Sequence, residues 1–263
     1  MLTPLFIAIV SISVNLKSNI FISDGLGTED TPYIIYGDKE EPIINSTLLN
    51  TRTVGEYVIF DEDGDNSTKE LYRIVGFEDG KIKLNKNDYI KSGTTTLTKK
   101  FSTSTTYGNG DSDDYWDYYL NNTWYNSLAS KDMLDKGTYY IKTLEAGTSY
   151  KNSLCNTDNT LETTKNCTKT TNVWNSGYVG LPRFGEMFAG QQVKEYNKAI
   201  NMSLITPYSS LFVMSVTNKG SGSYYTPYDT IGARPSIFLK SNVVITGGSG
   251  TKSDPFEIAL KNW

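Results

Sequence analysis

The sequence predicts an α+β fold: a strand-rich single domain with two or three short helices and long loops, and a small repeated β-hairpin unit at each end. Three observations support this prediction. Short runs of β-branched and aromatic residues alternate with turn residues, among them 22 glycines. One aromatic-rich stretch around residue 120 has helical spacing. A segment close to the N-terminus recurs close to the C-terminus.

The repeated segment comprises residues 16–35 and 239–258, which align at a constant offset without a gap. The identical residues are Leu, Lys, Ser, Asn, Ile, two glycines, Thr, Pro and the final Ile, and several other pairs are conservative. In each copy, Asn-hydrophobic-x-Ile predicts a short strand, Gly-x-Gly-Thr a glycine-dependent turn, and Pro-aromatic-x-Ile the start of a second strand. Gly247 stands where the first copy has Asp24, so the shared residues do not predict a calcium loop. Each copy is therefore predicted to be a hairpin with a glycine-rich loop.

The duplication predicts four segments along the chain. Residues 1–36 are the β-hairpin tail of a preceding module, 37–52 a polar linker, 53–238 the main α+β domain, and 239–263 the C-terminal copy of the hairpin unit. In the alternative arrangement, the two copies pack beside each other within one domain. The apolar run 5–10 is predicted to be a strand rather than a signal-peptide core, since no basic leader precedes it and no small-residue cleavage site follows it.

The first part of the main domain is predicted to be a β-meander. Its strands are residues 57–60, 71–77 and 81–84, with Asp79-Gly80 as a hairpin turn between the last two. The acidic loop after the first strand suggests a calcium loop, but it has no glycine at the sixth position and has Tyr72 in place of the bidentate glutamate. A solvated hairpin loop is the favoured interpretation.

Residues 112–128 predict a helix rich in aromatic side chains. Ser112 and the two aspartates that follow supply a cap and negative charge at its start. The apolar residues that recur every four positions are Trp116, Leu120, Trp124 and Leu128. This stripe is interpreted as core-facing rather than as a stacking platform for sugar rings. The pair Asn121-Asn122 is a candidate break between two short helices.

The remainder of the main domain is predicted to be mainly strands. Residues 173–188 run from a strand into a short helix. The segments 211–216, 224–225 and 231–239 are strand-like and are predicted to pair in sequence order.

Composition excludes several classes of function. The net charge is −4 and no basic stripe is present, which argues against nucleic-acid binding. The chain has no histidine, so Ser-His-Asp and Cys-His mechanisms are impossible within it. Cys155 and Cys167 lack the CxxC spacing of a metal or redox pair, and we predict that they form a disulfide that staples a surface loop in an oxidising compartment. We predict no metal site and no cofactor.

Four segments resemble an uncharacterised module of surface proteins from low-GC Gram-positive bacteria, many of which carry a prepilin-type N-terminal helix. These segments are residues 120–128, 180–188 (Gly-Leu-Pro-Arg-Phe-Gly-Glu-Met-Phe), 204–210 and 232–242. The order of strand, two helices, long loops and a final Gly-x-Arg-Pro strand is also similar to C-type-lectin-like domains, including the formylglycine-generating-enzyme branch. The resemblance implies an extracellular location on a bacterial cell surface, and it transfers no catalytic residue to this chain.

These observations predict a non-catalytic binding or adhesion head of a repeat-built or pilus-like protein. Its expected partners are a glycan or protein ligand on another cell, or neighbouring copies of the module, with membrane attachment only through segments outside this chain. Aromatic side chains, above all tyrosine, offer a large amphipathic contact area at low entropy cost. The candidate ligand-binding residues are therefore Tyr107, Tyr115, Trp174, Tyr178, Tyr224 and Tyr225.

Two alternative functions remain open at this point. The first is a purely structural pilin-like or stalk subunit, which the duplication favours. The second is a carboxylate-dependent glycoside hydrolase, which requires two acidic side chains about 5–10 Å apart in a cleft. The sequence singles out no such pair.

Overall fold

The computed structural model describes residues 21–24, 34–36, 48–65, 67–78, 81–101, 110–140, 173–189, 201–208 and 211–261. The chain divides into two compact units, Met1–Pro42 and Ile43–Trp263. Several predicted features lie outside the described residues: the apolar run 5–10, Tyr107, and the cysteines Cys155 and Cys167.

The first unit contains an antiparallel hairpin, here called the N-terminal hairpin. Its strands are β1 (Phe21–Asp24) and β2 (Ile34–Tyr36). Ile22 is opposite Ile35, and the register then shifts so that Asp24 is opposite Ile34. The first copy of the repeated segment is therefore a hairpin, as predicted.

The second unit is rich in strands and has few helices. In the order in which they pair, the strands of its larger sheet are β12 (Val179–Gly180), β17 (Ser236–Leu239), β5 (Lys81–Lys86), β4 (Glu70–Glu78) and β3 (Tyr57–Phe60), and β9 (Leu134–Asp135) also pairs with β17. All of these pairings are antiparallel. The predicted meander of β3, β4 and β5 is confirmed, because each pairs with the next.

The second unit also contains a smaller sheet of five strands. Its strands, in pairing order, are β15 (Gly222–Tyr225), β14 (Val213–Val216), β13 (Met202–Pro207), β16 (Ile231–Gly232) and β8 (Thr98–Lys99). The pairing of β13 with β16 is parallel, and the other pairings are antiparallel.

The remaining strands of the described residues form three further pairs. They are β6 (Lys91–Ser92) with β7 (Thr95–Thr96), β10 (Gly137–Tyr140) with β11 (Val173–Gly177), and β18 (Val243–Gly247) with β19 (Glu257–Leu260). The last pair is the second copy of the repeated segment and is here called the C-terminal hairpin. It is part of the same compact unit as both sheets.

The longest helix in the described part of the chain, α1, spans residues 116–127 without a break. It consists of α-helical turns at Trp116–Tyr118 and Tyr125–Ser127 and a wider π-helical segment at Tyr119–Trp124, where the N–H of Tyr125 bonds to the carbonyl of Leu120. A second helix, α2, spans Phe184–Ala189, and short 3-10 helices span Leu49–Thr51 and Lys131–Met133.

The aromatic stripe of α1 is core-facing, as predicted. Trp116, Leu120, Trp124 and Leu128 are all buried. Side chains exactly four apart drift around an α-helix of 3.6 residues per turn, whereas the wider π-helical turn keeps them on one side. The pair at 121–122 does not end the helix; the extra residue in the turn is accommodated by i→i+5 hydrogen bonding.

The segments 211–216, 224–225 and 231–239 were predicted to pair in sequence order. This prediction is correct for the first two segments and wrong for the third. Strands β14 and β15 pair, but the segment 231–239 divides at Ala233–Pro235, and its halves join different sheets. Pro235 has no N–H to continue a ladder. Its carbonyl and the Arg234 side chain instead bond to the backbone of Lys86 at 2.9 and 2.8 Å. The chain therefore crosses from the smaller sheet to the larger one at this point.

The C-terminal hairpin lies along β3, an edge strand of the larger sheet. Phe256 forms a parallel bridge with Val58, and Val244 forms an antiparallel bridge with Leu48. Leu49 is fully buried against the same core, so the end of the segment predicted as a linker is packed into the domain. In the part of the chain that the structure describes, no helix has the length and apolar character needed to span a membrane.

Candidate functional site

The candidate functional site is a cleft of about 480 Å³ beside helix α1 and the junction of β11 with β12. We call it the tyrosine cleft. The residues that line it are Gly110, Asp117, Tyr118, Asn121, Asn122, Tyr125, Asn126, Lys136, Ser176, Gly177 and Tyr178. It thus combines aromatic rings, side-chain amides, one carboxyl group and one ammonium group.

Asn121 connects the two sides of the cleft, which are helix α1 and the β11–β12 junction. Its Oδ1 accepts hydrogen bonds from the backbone N–H groups of Tyr178 and Val179, both at 3.1 Å. Its Nδ2 donates to the carbonyl of Val179 at 2.8 Å. A single side chain therefore ties the middle of α1 to the β11–β12 junction and satisfies backbone groups that would otherwise need water.

The aromatic wall of the cleft is a stacked pair, Tyr125 and Tyr178. Their ring centroids are 4.2 Å apart and the rings are nearly parallel, at 4°. The Lys136 ammonium lies 5.4 Å from the centroid of Tyr178, within the range of a cation–π contact. Burial and a hydrogen bond between the two phenols raise the pKa of Tyr125 above its ordinary value. Each ring covers one face of the other, so the pair contributes its outer ring surface and its edge hydroxyl groups to the cleft.

Asp117 provides the carboxyl group of the cleft. The residue is only 6% exposed, and its Oδ2 accepts a hydrogen bond from the Gly110 N–H at 2.7 Å. Its Oδ1 is buried and has no hydrogen-bond partner among the residues that the structure describes. Burial raises the pKa of Asp117, the backbone N–H groups of Gly110, Tyr118 and Asp117 itself act in the opposite direction, and the charge of Asp111 adds to the rise. Asp117 therefore lines the cleft with a carboxyl group of which one oxygen is fully buried and makes no hydrogen bond to the described residues.

Two exposed asparagines continue the polar surface along α1. The Nδ2 of Asn122 donates to the Tyr118 carbonyl at 3.0 Å, and the Nδ2 of Asn126 donates to the Asn122 carbonyl at 2.6 Å. Each amide is oriented by a donor bond one turn back along the helix, and its Oδ1 can still accept a hydrogen bond from a ligand.

A second buried carboxylate, Glu186, has entirely different surroundings. It is fully buried with Lys83 and Arg183, and we call these three residues the ion-pair cluster. The Lys83 Nζ lies 2.9 and 3.1 Å from the two oxygens of Glu186, and the Arg183 guanidinium lies at 2.6 Å. Burial alone would raise the pKa of Glu186, but the two cations more than offset this effect and hold the pKa below its ordinary value. Both oxygens of Glu186 are hydrogen-bonded, so this carboxylate is a structural centre of the domain.

The predicted ligand-binding residues fall in different places. Tyr178 lies in the tyrosine cleft, and Tyr115 immediately precedes α1 and packs beside Gly110. Trp174 belongs to β11, which leads into the cleft, and its side chain lies outside the described residues. Tyr224 and Tyr225 lie in β15 of the smaller sheet. The structure therefore does not gather these residues into one site.

Tyr224 and Tyr225 point to opposite sides of β15. Tyr224 is 50% exposed and stacks on Tyr208, with ring centroids 4.4 Å apart. Tyr225 is hydrogen-bonded to the Ser203 hydroxyl, and burial raises the pKa of its phenol well above the ordinary value. Tyr224 with Tyr208 thus forms a second aromatic surface, the outer stack, whereas Tyr225 is partly buried and packs against the core.

Sequence reasoning did not identify most of the polar residues of the cleft. A signal for them was present in the spacing of α1. Asp117, Asn121 and Tyr125 recur every four residues, directly beside the buried stripe, and Tyr118, Asn122 and Asn126 form the next row. Because the π-helical segment keeps such rows aligned, the row next to the core is the one placed at the rim of the cleft.

Comparisons of the chain with protein-family models, with curated proteins and with solved structures return no match. Among the described residues, no three acidic or cysteine side chains come together in a group that could hold a metal ion. The aspartates of the loop after β3 accept hydrogen bonds within that loop, for example Asp61 from the Gly64 N–H at 2.7 Å.

Proposed function

We propose that this chain is a non-catalytic extracellular module, the binding or adhesion head of a repeat-built or pilus-like bacterial surface protein, and that its ligand binds in the tyrosine cleft. The observation that supports this proposal is the composition of the cleft. A stacked pair of tyrosines lies beside a carboxyl group with an unpartnered oxygen and two oriented amides. Binding sites typically combine apolar surface with a few placed polar groups in this way.

A glycan is the ligand class that this arrangement suits best. A sugar ring has an apolar face of C–H groups and a rim of hydroxyl groups. The apolar face can pack on the Tyr125–Tyr178 wall, while the hydroxyl groups can donate to Asp117 and to the amide oxygens of Asn122 and Asn126.

The proposed fold is C-type-lectin-like. Support comes from the strand-rich architecture with one long helix followed by a second helix and a late Gly-Ala-Arg-Pro segment that enters the larger sheet. The extracellular location rests on the predicted disulfide and on the family resemblance of the sequence.

An array of immobilised glycans tests this proposal. The wild-type chain should bind a subset of glycans, and the cleft variants Asp117→Asn and Asn126→Ala should weaken each of these signals at least about tenfold, the equivalent of one good hydrogen bond. The matched control is Tyr224→Ala, which removes an exposed aromatic side chain from the outer stack and should leave the signals unchanged. Binding that is lost in Tyr224→Ala and kept in both cleft variants would contradict the proposal, and so would an array without any hit.

A purely structural pilin-like or stalk subunit is the alternative that a separate observation favours. The repeated segment forms a hairpin at both ends of the chain, with the same pairing. Repeated units of this kind often serve as spacers in extended surface proteins. This alternative predicts no glycan binding by the wild-type chain.

A carboxylate-dependent glycoside hydrolase is the second alternative. The raised pKa of Asp117 is a property of a general acid. Hydrolysis with two carboxylates also needs a second acidic side chain about 5–10 Å away across the cleft. Among the described residues that line the cleft, Asp117 is the one acidic side chain, so binding is the function that we propose.

A further inference from the structure

The C-terminal hairpin closes an open edge of the larger sheet. The Tyr57 N–H donates to the Gly250 carbonyl at 2.8 Å, the Phe256 N–H donates to the Tyr57 carbonyl at 2.9 Å, and the Ile59 N–H donates to the Phe256 carbonyl at 2.9 Å. An uncovered edge strand presents such groups to any other strand, and proteins commonly cover them. The hairpin therefore provides hydrogen-bond partners for the backbone groups on the side of β3 that does not pair with β4.

The side chains and turns at this contact have specific requirements. Phe256 is fully buried, and the Arg52 guanidinium lies 4.9 Å from its ring centroid. Gly250 has a φ of +78°, and a Cβ at this position would lie 2.5 Å from the Phe256 ring. Gly248 has a φ of +77°, and a Cβ there would collide with the carbonyl of Pro255. The loop of the hairpin therefore needs glycine at both positions, and the Phe256 ring fills a buried site against the domain.

The N-terminal copy has glycine, proline and an aromatic residue at the same positions. Its sequence has Gly25 and Gly27 at the positions of Gly248 and Gly250, and Pro32-Tyr33 at the positions of Pro255-Phe256. The backbone pairing also matches. Ile22 with Ile35 and Asp24 with Ile34 correspond to Ile245 with Ile258 and Gly247 with Glu257, including the irregularity between the two pairs.

The differences between the copies are concentrated where the C-terminal hairpin faces solvent. Changes of charge, size or polarity occur at several positions of this copy that are exposed: Ser249, Lys252, Ser253, Asp254 and Glu257. The positions buried against the domain keep an apolar residue or glycine: Val243, Val244, Ile245, Gly250 and Phe256 are matched by Ile20, Phe21, Ile22, Gly27 and Tyr33. These five buried positions form the docking face of the C-terminal hairpin, and both copies have an apolar residue or glycine at each of them.

We infer that the N-terminal hairpin is a second edge-closing hairpin, whose partner is the edge strand, equivalent to β3, of another module of this kind. The β3 strand of this chain is already covered by the C-terminal hairpin, so the N-terminal copy requires a second edge of the same type. The inference concerns assembly between modules and is independent of what binds in the tyrosine cleft.

A full-chain chimera tests whether the N-terminal copy can close such an edge. Residues 242–258 are replaced by residues 19–35, which have the same length, and β3 of this chain serves as the edge. We expect the amides of Tyr57 and Ile59 to stay protected from hydrogen exchange to within about tenfold of the wild type, since both bond to the hairpin. A control chimera with the same residues in scrambled order should lose this protection.

The result that overturns the inference is equal loss of protection in both chimeras. A third chimera carries Tyr33→Asp within the inserted copy and should behave like the scrambled control, because the aromatic ring fills the site of Phe256. Full protection in this third chimera would also contradict the inference, since closure would then not depend on the shared docking face.

A second measurement uses two molecules. The full chain with Phe256→Asp has its own hairpin displaced, and a synthetic peptide of residues 16–36 is added in excess. The peptide should slow exchange at Tyr57 and Ile59 at least about tenfold more than the same peptide with Tyr33→Asp. Equal effects of the two peptides would overturn the inference, and if the Phe256→Asp chain does not unfold cooperatively, the chimeras alone decide.

Discussion

Glu186 and Asp117 are both buried carboxylates, yet they differ in every partner that they have. Glu186 is bonded to two cations and to the Arg183 N–H, and its pKa is lowered. The Oδ2 of Asp117 accepts a hydrogen bond from the Gly110 N–H, its Oδ1 has no partner in the described part of the chain, and its pKa is raised. A buried acid with all its bonds made stabilises a fold, whereas one with spare capacity beside a cleft is available for a ligand. The contrast separates the structural centre of the domain from its candidate site.

The largest expected effect is that of removing the charge of Glu186. The substitution Glu186→Gln leaves the Lys83 and Arg183 cations buried without their counter-charge, which should lower the free energy of unfolding by about 3–5 kcal/mol. Denaturant titration measures the loss. The matched control is Asp132→Asn, an exposed acid, which should change the free energy by less than about 0.5 kcal/mol. A loss of similar size in both variants would mean that the ion-pair cluster has no special role.

A smaller effect is the acid dependence of stability that Glu186 confers. Its folded pKa lies below that of the unfolded chain, about 4.3. The stabilisation is therefore fully present above the unfolded pKa and is lost as the pH falls through the folded pKa. Between about pH 3 and pH 7, the free energy of unfolding of the wild type should increase relative to that of Glu186→Gln as the pH rises. A constant difference across this range would contradict the assignment.

The smallest effect on stability, and one of opposite sign, is expected for Asp117. Its folded pKa is raised above the unfolded value of about 3.9, so its contribution to stability is greatest in acid and is lost as the pH rises through the folded pKa. The variant Asp117→Asn keeps an acceptor for the Gly110 N–H. Its free energy of unfolding should therefore increase relative to that of the wild type as the pH rises. The same titration measures this gain. If Asp117→Asn instead loses stability at neutral pH, as Glu186→Gln does, Asp117 is a structural residue.

The sequence predicted the parts of the fold that depend on local patterns. The duplicated segment predicted both hairpins, and the four-residue stripe of α1 predicted a core-facing helix. The alternating runs also predicted the meander of β3, β4 and β5. In each case, residues close in sequence determine the structure that was inferred.

The parts that were missed depend on residues far apart in sequence. Lys83 and Glu186 are 103 positions apart, and Asn85 bonds to Arg234 across 149 positions. The division of the segment 231–239 follows from such contacts with the end of β5 rather than from its own strand-like pattern. The cleft was missed because Tyr178 meets Tyr125 only through the tertiary fold. The spacing of apolar residues along the sequence carries no information about such long-range contacts.

The most direct test of the account is an NMR titration of the chain with simple sugars. Glucose, galactose, mannose and N-acetylglucosamine are added separately, and the amide signals of Gly110, Tyr178 and Tyr224 are followed. The Gly110 N–H reports on Asp117, and the Tyr178 N–H reports on the junction held by Asn121. The account predicts that at least one sugar shifts the Gly110 and Tyr178 signals together and leaves Tyr224 unchanged. Shifts confined to Tyr224, or no shift with any of the sugars, would contradict it.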